Sequence, residues 1–189
     1  MIREVIYFDK AGPQNTDHCL QIVRRLVEDG CHKYVVVAST TGATGLKAAE
    51  TVHALNAQLI VVTHSAGFQK PHIHELDPEM ARAIQALGAQ IYTGTILTHS
   101  LETGLAQKYS GMYPTTLIAE TLRRFGQGVK VGCEIVMEAC DSGLVPEGEE
   151  VIAVGGTGRG ADSVILVRSA VSKRFLDLKV LEILAKPRE

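Results

Sequence analysis

The sequence predicts an α/β fold: a three-layer α/β/α sandwich whose sheet is mostly parallel, with an antiparallel strand near the carboxyl end. Three observations carry this. The apolar runs Tyr34-Val35-Val36-Val37-Ala38 and Leu59-Ile60-Val61-Val62 show no polar alternation, as strands covered by helices on both faces require. Segments with apolar residues three and four apart separate such runs, giving repeated strand–helix units. Only residues 155–162 lie between Val151–Val154 and Ser163–Arg168, too few for a parallel crossover, so these two runs should pair antiparallel.

In chain order, Val5–Phe8 reads as a short first strand, and the Gly-Pro loop after it ends at Asn15 and Thr16, either of which can cap a helix. Cys19, Ile22, Val23, Leu26 and Val27 share one face of that helix, and Gly30 stands where a left-handed residue would close it. After the second strand, Tyr34–Ala38, the residues Leu46, Ala49, Val52 and Leu55 mark a second buried helix face, with His53 on its surface. The third strand is Leu59–Val62, followed by a long loop over 63–77. Pro78 opens a helix carrying Met80, Ala83, Ile84 and Leu87 that stops at Gly88, and Gln90–Thr93 follows as a fourth strand. The middle, 94–143, reads as helices near Leu101–Gln107, Pro114–Phe125 and Val129–Cys140, punctuated by Gly126 and Gly128. Beyond the antiparallel pair, 176–183 alternates well enough for a strand, with a helix as the other reading and Pro187 as its end.

The chain has 189 residues, 46% hydrophobic and 21% charged, in keeping with one globular domain spanning 1–189. A formal charge of -2 argues against nucleic acid as a partner, and the absence of Trp argues against a base-stacking platform. No apolar run has the length of a membrane span and no signal pattern opens the chain, so a cytoplasmic protein is expected. The four cysteines form no Cys-x-x-Cys pair, and Cys133 and Cys140 fall on one helix face as core residues.

Three loops carry candidate chemistry. Ser39-Thr40-Thr41-Gly42-Ala43-Thr44-Gly45 places four hydroxyls and two glycines where a strand hands over to a helix. Unpaired N–H groups at a helix start attract anions, so this is either a phosphate cradle or an ordinary N-cap. Gly155-Gly156-Thr157-Gly158-Arg159-Gly160-Ala161 matches Gly-x-Gly-x-x-Ala, but a strand rather than a helix follows, which rejects a dinucleotide fingerprint. Arg159 among glycines suits bidentate contact with phosphate; the other reading is a hairpin tip with a solvated arginine. The first loop also lacks the Gly-Lys-Ser/Thr ending of a nucleotide-phosphate loop. The third loop, His64 to Glu75, includes Gly67, Phe68, Lys70, His72 and His74 and suits a polar lid over a ligand. His72-x-His74 could hold a metal, but no third ligand is evident and no metal site is assigned.

The order of strand, Ser-Thr-Thr-Gly-Ala-Thr, helix and strand, with the later Gly-Leu-Val-Pro-Glu-Gly-Glu-Glu-Val-Ile-Ala-Val-Gly-Gly and its antiparallel strand, resembles the carboxyl-terminal domain of pyruvate kinase over about 31–170. In that domain a Thr/Ser-rich turn binds a phosphate of a sugar bisphosphate effector, and a glycine-rich loop closes over it. The resemblance puts the first role on Ser39, Thr40, Thr41, Gly42, Ala43 and Thr44 and the second on Gly156, Thr157, Gly158, Arg159 and Gly160. His64, Gly67, Phe68 and Lys70 would flank the rest of a ligand. The whole chain looks still more like stand-alone archaeal and bacterial proteins of this domain type, a group with which flavin mononucleotide (FMN) is associated. An extra amino-terminal strand and a longer helical middle set it apart from the kinase domain, and no barrel or metal-binding kinase site is present, so pyruvate kinase activity is not expected. The implied function is a binding protein for a phosphorylated small molecule, with FMN as the implied cofactor. The alternatives are an enzyme using a histidine as acid or base on a phosphorylated metabolite, and a regulatory or subunit module. Because the kinase domain lies at a subunit interface, a homo-oligomer is expected as well.

Overall fold

The computed structural model describes residues 4–189. Strand β1 (Ile6–Phe8) and helix α1 (Thr16–Glu28) lead to β2 (Tyr34–Ala38), α2 (Ala43–Val52), β3 (Gln58–His64), α3 (Pro78–Ala86) and β4 (Gln90–Gly94). Three helices follow, α4 (Leu101–Tyr109), α5 (Pro114–Arg123) and α6 (Gln127–Asp141), and then β5 (Glu150–Gly155), β6 (Ser163–Arg168) and β7 (Lys179–Pro187). The strands form one sheet in the order β1-β7-β6-β5-β2-β3-β4. Strand β6 runs antiparallel to β5 and β7, and the remaining pairs are parallel. The sheet is thus mostly parallel, and the short loop 156–162 makes the turn that its length demanded.

Alternate residues of the central strands feed two cores. Val35, Val37 and Val61 pack with Cys19, Val23 and Ala48 of α1 and α2 on one face. Val36, Ile60 and Val62 pack with Val129, Cys133 and Val136 of α6 on the other. Both faces of a central strand being buried is why its sequence is apolar throughout. Pro78 and Gly30 mark the two helix ends expected of them, and Asp77 adds a cap that was not read from the sequence. Asp77 Oδ1 accepts the Glu79 and Met80 N–H groups (2.7 and 3.3 Å) ahead of Pro78, and Gly30 closes α1 at φ 73°.

Four expectations are corrected. Asn15 sits before α1 with helical backbone angles (φ -90°, ψ -7°), so its side chain cannot turn back on the helix and instead donates to the Lys10 carbonyl. Thr16 Oγ1 donates to Pro13 O and accepts the Ala161 N–H, tying α1 to the distant glycine loop. Strand β3 continues through Thr63 and His64 because β4 offers pairing partners, Thr93 and Gly94, at both positions. Gly128 lies inside α6, where it meets Gly155: a Cβ on Gly155 would stand 2.2 Å from the Gly128 carbonyl oxygen. The last segment is a strand, though it starts later than its alternation suggested. Leu176 and Asp177 belong to a 3-10 turn, and pairing with β6 on one side and β1 on the other carries the strand to Pro187.

Candidate functional site

Strands β2 and β5 are parallel neighbours, from Tyr34↔Val151 to Val37↔Val154. From β2 the chain steps to β3 and β4 on one side, while β5 occupies the other. Connections therefore diverge at the carboxyl ends of β2 and β5, where open α/β sheets hold their ligands. A cleft of about 680 Å³ opens there, within the range of small-molecule sites.

The hydroxyl loop divides its labour. Ser39 is buried, and its Oγ accepts the Gly45 N–H (3.0 Å), capping α2 internally. Gly42 precedes α2 at φ 99° with its α-carbon against α3, where a Cβ would come within 2.6 Å of Met80 Cβ, so it serves the close approach and does not line the cleft. Ser39, Thr40, Thr41, Ala43 and Thr44 do line the cleft, the last two from the first turn of α2. Cap and cleft-facing turn thus coexist in one loop.

Facing it, Gly156, Gly158, Arg159 and Gly160 of the β5–β6 hairpin form a second wall. Arg159 is exposed, and among the described residues its guanidinium has no partner. Thr157 is not part of the cleft lining; its N–H donates to Asp162 Oδ2 (3.0 Å). Asp162, fully buried, also accepts the Gly12 N–H (3.1 Å) on Oδ2 and the Ser163 hydroxyl (2.9 Å) on Oδ1. This carboxylate holds the hairpin tip in place.

The histidine loop contributes His64, Phe68, Gln69 and Glu75 to the cleft; Gly67 and Lys70 are not part of its lining. Gly67, at φ 80°, folds the loop back through its N–H on Ile73 O, and Lys70, His72 and His74 are exposed. His64 Nδ1 meets Glu75 Oε2 at 2.8 Å and Nε2 lies 3.4 Å from Thr40 Oγ1. A carboxylate only accepts, so Nδ1 is the donor to Glu75 and Nε2 is the nitrogen turned toward Thr40. The Phe68 ring packs on His64 (centroids 4.4 Å) and edge-on to His99 (5.9 Å).

The sequence reading missed the third wall. Lys130, Glu134 and Glu138 stand four residues apart on α6, each at most 5% exposed, and all line the cleft. Lys130 Nζ donates to Glu134 Oε2 (2.5 Å), Glu134 Oε1 accepts the Thr98 N–H and hydroxyl (2.8 and 2.6 Å), and Glu138 Oε1 accepts the Leu97 N–H (3.3 Å). Burial, reinforced by Glu134, pushes the Glu138 carboxyl up to about 8. Burial and then the Lys130 charge hold His99 below its ordinary value. The available signal was the spacing itself: three charges at four-residue intervals in an otherwise apolar helix form a stripe that the core cannot absorb.

Among the described residues, no group of three or more His, Cys, Asp or Glu side chains is arranged to hold a metal ion, and no helix is long and apolar enough to cross a membrane.

The family model described as pyruvate kinase, alpha/beta domain, matches residues 17–167. Among solved structures, a pyruvate kinase from Cryptosporidium parvum is similar at 17% identity and TM-score 0.45, over 82% of this chain and 23% of that one. The chain thus spans about a quarter of that enzyme's length. An NH3-dependent NAD synthetase from Campylobacter jejuni (13% identity, TM-score 0.39) is matched over 73% of this chain and 54% of its own. An NMN synthetase from Francisella tularensis (13%, TM-score 0.40) is matched over 72% and 52%.

Proposed function

Since the chain belongs to the pyruvate kinase alpha/beta domain family, we propose that it is a binding protein for a phosphorylated small molecule, with FMN as the first candidate. One observation carries the reading: the first turn of α2 and Arg159, unpaired among the described residues, face one cleft from neighbouring strand ends. The helix start supplies N–H groups and partial positive charge, Thr41 and Thr44 add hydroxyl donors, and Arg159 adds a bidentate cation. The cleft has room for a ring system, and the Phe68 face beside His64 and His99 suits a planar one.

Titration calorimetry of the purified protein with FMN and with inorganic phosphate tests this. Thr41→Ala combined with Thr44→Ala should weaken both at least tenfold while leaving the circular dichroism spectrum intact. Unchanged affinities would remove the phosphate assignment. Native mass spectrometry of the untreated protein reports bound mass and subunit count together. The count bears on self-association, for which the exposed apolar side chains of Leu101, Tyr109, Met112 and Leu117 are the supporting feature.

A second reading, an enzyme acting on a phosphorylated metabolite, is favoured by the His64–Glu75 pair, in which a carboxylate orients the imidazole through Nδ1 as it does for a histidine acid or base. Turnover in a screen of phosphorylated metabolites should then fall at least a hundredfold in His64→Ala, with KM little changed. Equal turnover in that variant would retire the reading.

A further inference from the structure

We propose that the α6 stripe of Lys130, Glu134 and Glu138 is a specificity subsite, one that takes the far end of the phosphorylated ligand as an uncharged carbonyl-bearing group and turns away a second phosphate. The inference rests on the phosphate reading above and adds what the other end of the ligand must be.

The charges of the cleft are segregated. Its cationic features, Arg159 and the start of α2, belong to the two loops at the ends of β2 and β5. The stripe, by contrast, holds one ammonium against two carboxyl groups. Lys130 is paired with Glu134, so the wall offers no net positive charge to a second phosphate, which would lie against the Glu134 carboxylate with no spare cation to offset it.

What the stripe does offer is hydrogen-bond donation. Lys130 Nζ has three protons and uses one on Glu134, and the second oxygen of Glu138 has no hydrogen bond within the described chain. A buried carboxyl kept protonated donates as a hydroxyl, and burial beside Glu134 keeps Glu138 in that form at neutral pH. A carbonyl oxygen accepts from both without bringing charge into a wall that could not neutralise it. The groups bearing on Glu138 are Lys130, Glu134 and Asp141 of α6, Tyr92 of β4 and the Leu97 N–H, while His99 faces Lys130 and Glu134.

The test titrates the full chain with FMN, fructose 1,6-bisphosphate and inorganic phosphate at pH 7 and pH 9. FMN should bind at least a hundredfold more tightly than the bisphosphate, and its affinity should fall about tenfold or more at pH 9, beyond any change for inorganic phosphate. Glu138→Gln keeps a donor that cannot ionise, so it should bind FMN at pH 7 and lose the extra pH dependence. Lys130→Met with Glu134→Gln, which removes both members of the ion pair so that neither is stranded, should weaken FMN at least tenfold and leave inorganic phosphate unchanged. A bisphosphate that binds as tightly as FMN overturns the subsite, as do stripe variants indistinguishable from the wild type. In those cases the phosphate site itself stands if Thr41→Ala with Thr44→Ala still weakens inorganic phosphate. A wild-type protein that binds neither FMN nor phosphate overturns both.

Discussion

Asp162→Ala should lower the unfolding free energy by about 4 kcal/mol, seen as a large drop in the urea midpoint at nearly constant slope. The carboxylate is fully buried and accepts from Gly12, Thr157 and Ser163, groups drawn from three parts of the chain. Alanine leaves two backbone donors without an acceptor, and each such orphan costs about 1–3 kcal/mol. Ser163→Ala is the control, since it removes one donor and strands little; it should cost about 1 kcal/mol. Equal losses in the two variants would mean that Asp162 does not clamp the hairpin. Conditions in which the alanine variant still folds should show weaker FMN binding, because the Thr157 anchor of the Arg159 loop has gone.

Glu138→Gln should flatten the pH dependence of stability. In the folded protein this carboxyl is raised from 4.5 to about 8 by burial and by Glu134. The folded state therefore holds a proton that the unfolded state releases. The contribution is complete below about 4.5 and is lost as pH rises through about 8. Between pH 6 and pH 8 the wild type should lose about 2–3 kcal/mol relative to the glutamine variant, which has nothing to ionise there. Urea titrations of the two proteins at several pH values check this, and parallel stability curves would show that Glu138 ionises as freely as a surface carboxylate.

Legibility in the sequence followed the range of the forces involved. The strands β2, β3 and β5 and the turn into β6 could be read because continuous apolar runs and a short gap are local facts with one structural meaning. The two cleft-forming loops could be read because helix starts and glycine turns have local chemistry. Burial of Lys130, Glu134 and Glu138 could not, since whether a charged stripe meets water or a cleft depends on which face α6 turns to the sheet. The same holds for Asp162, whose partner Gly12 lies 150 positions away, and for Asn15 and Thr16, drawn off their capping roles by neighbours that local pattern does not name.

The β2–β5 pairing has a consequence for how the chain acquires its cleft. Tyr34 is joined to Val151, and everything from α2 to α6 lies in the intervening loop. The β5–β6 hairpin and the β2–α2–β3 unit can each form from residues close in sequence, whereas this seam closes only after a long loop has been ordered. The two cleft-lining loops sit on opposite sides of that seam. With that seam open the two loops belong to separate pieces of sheet, so the cleft exists only where a pairing between residues more than a hundred positions apart has formed.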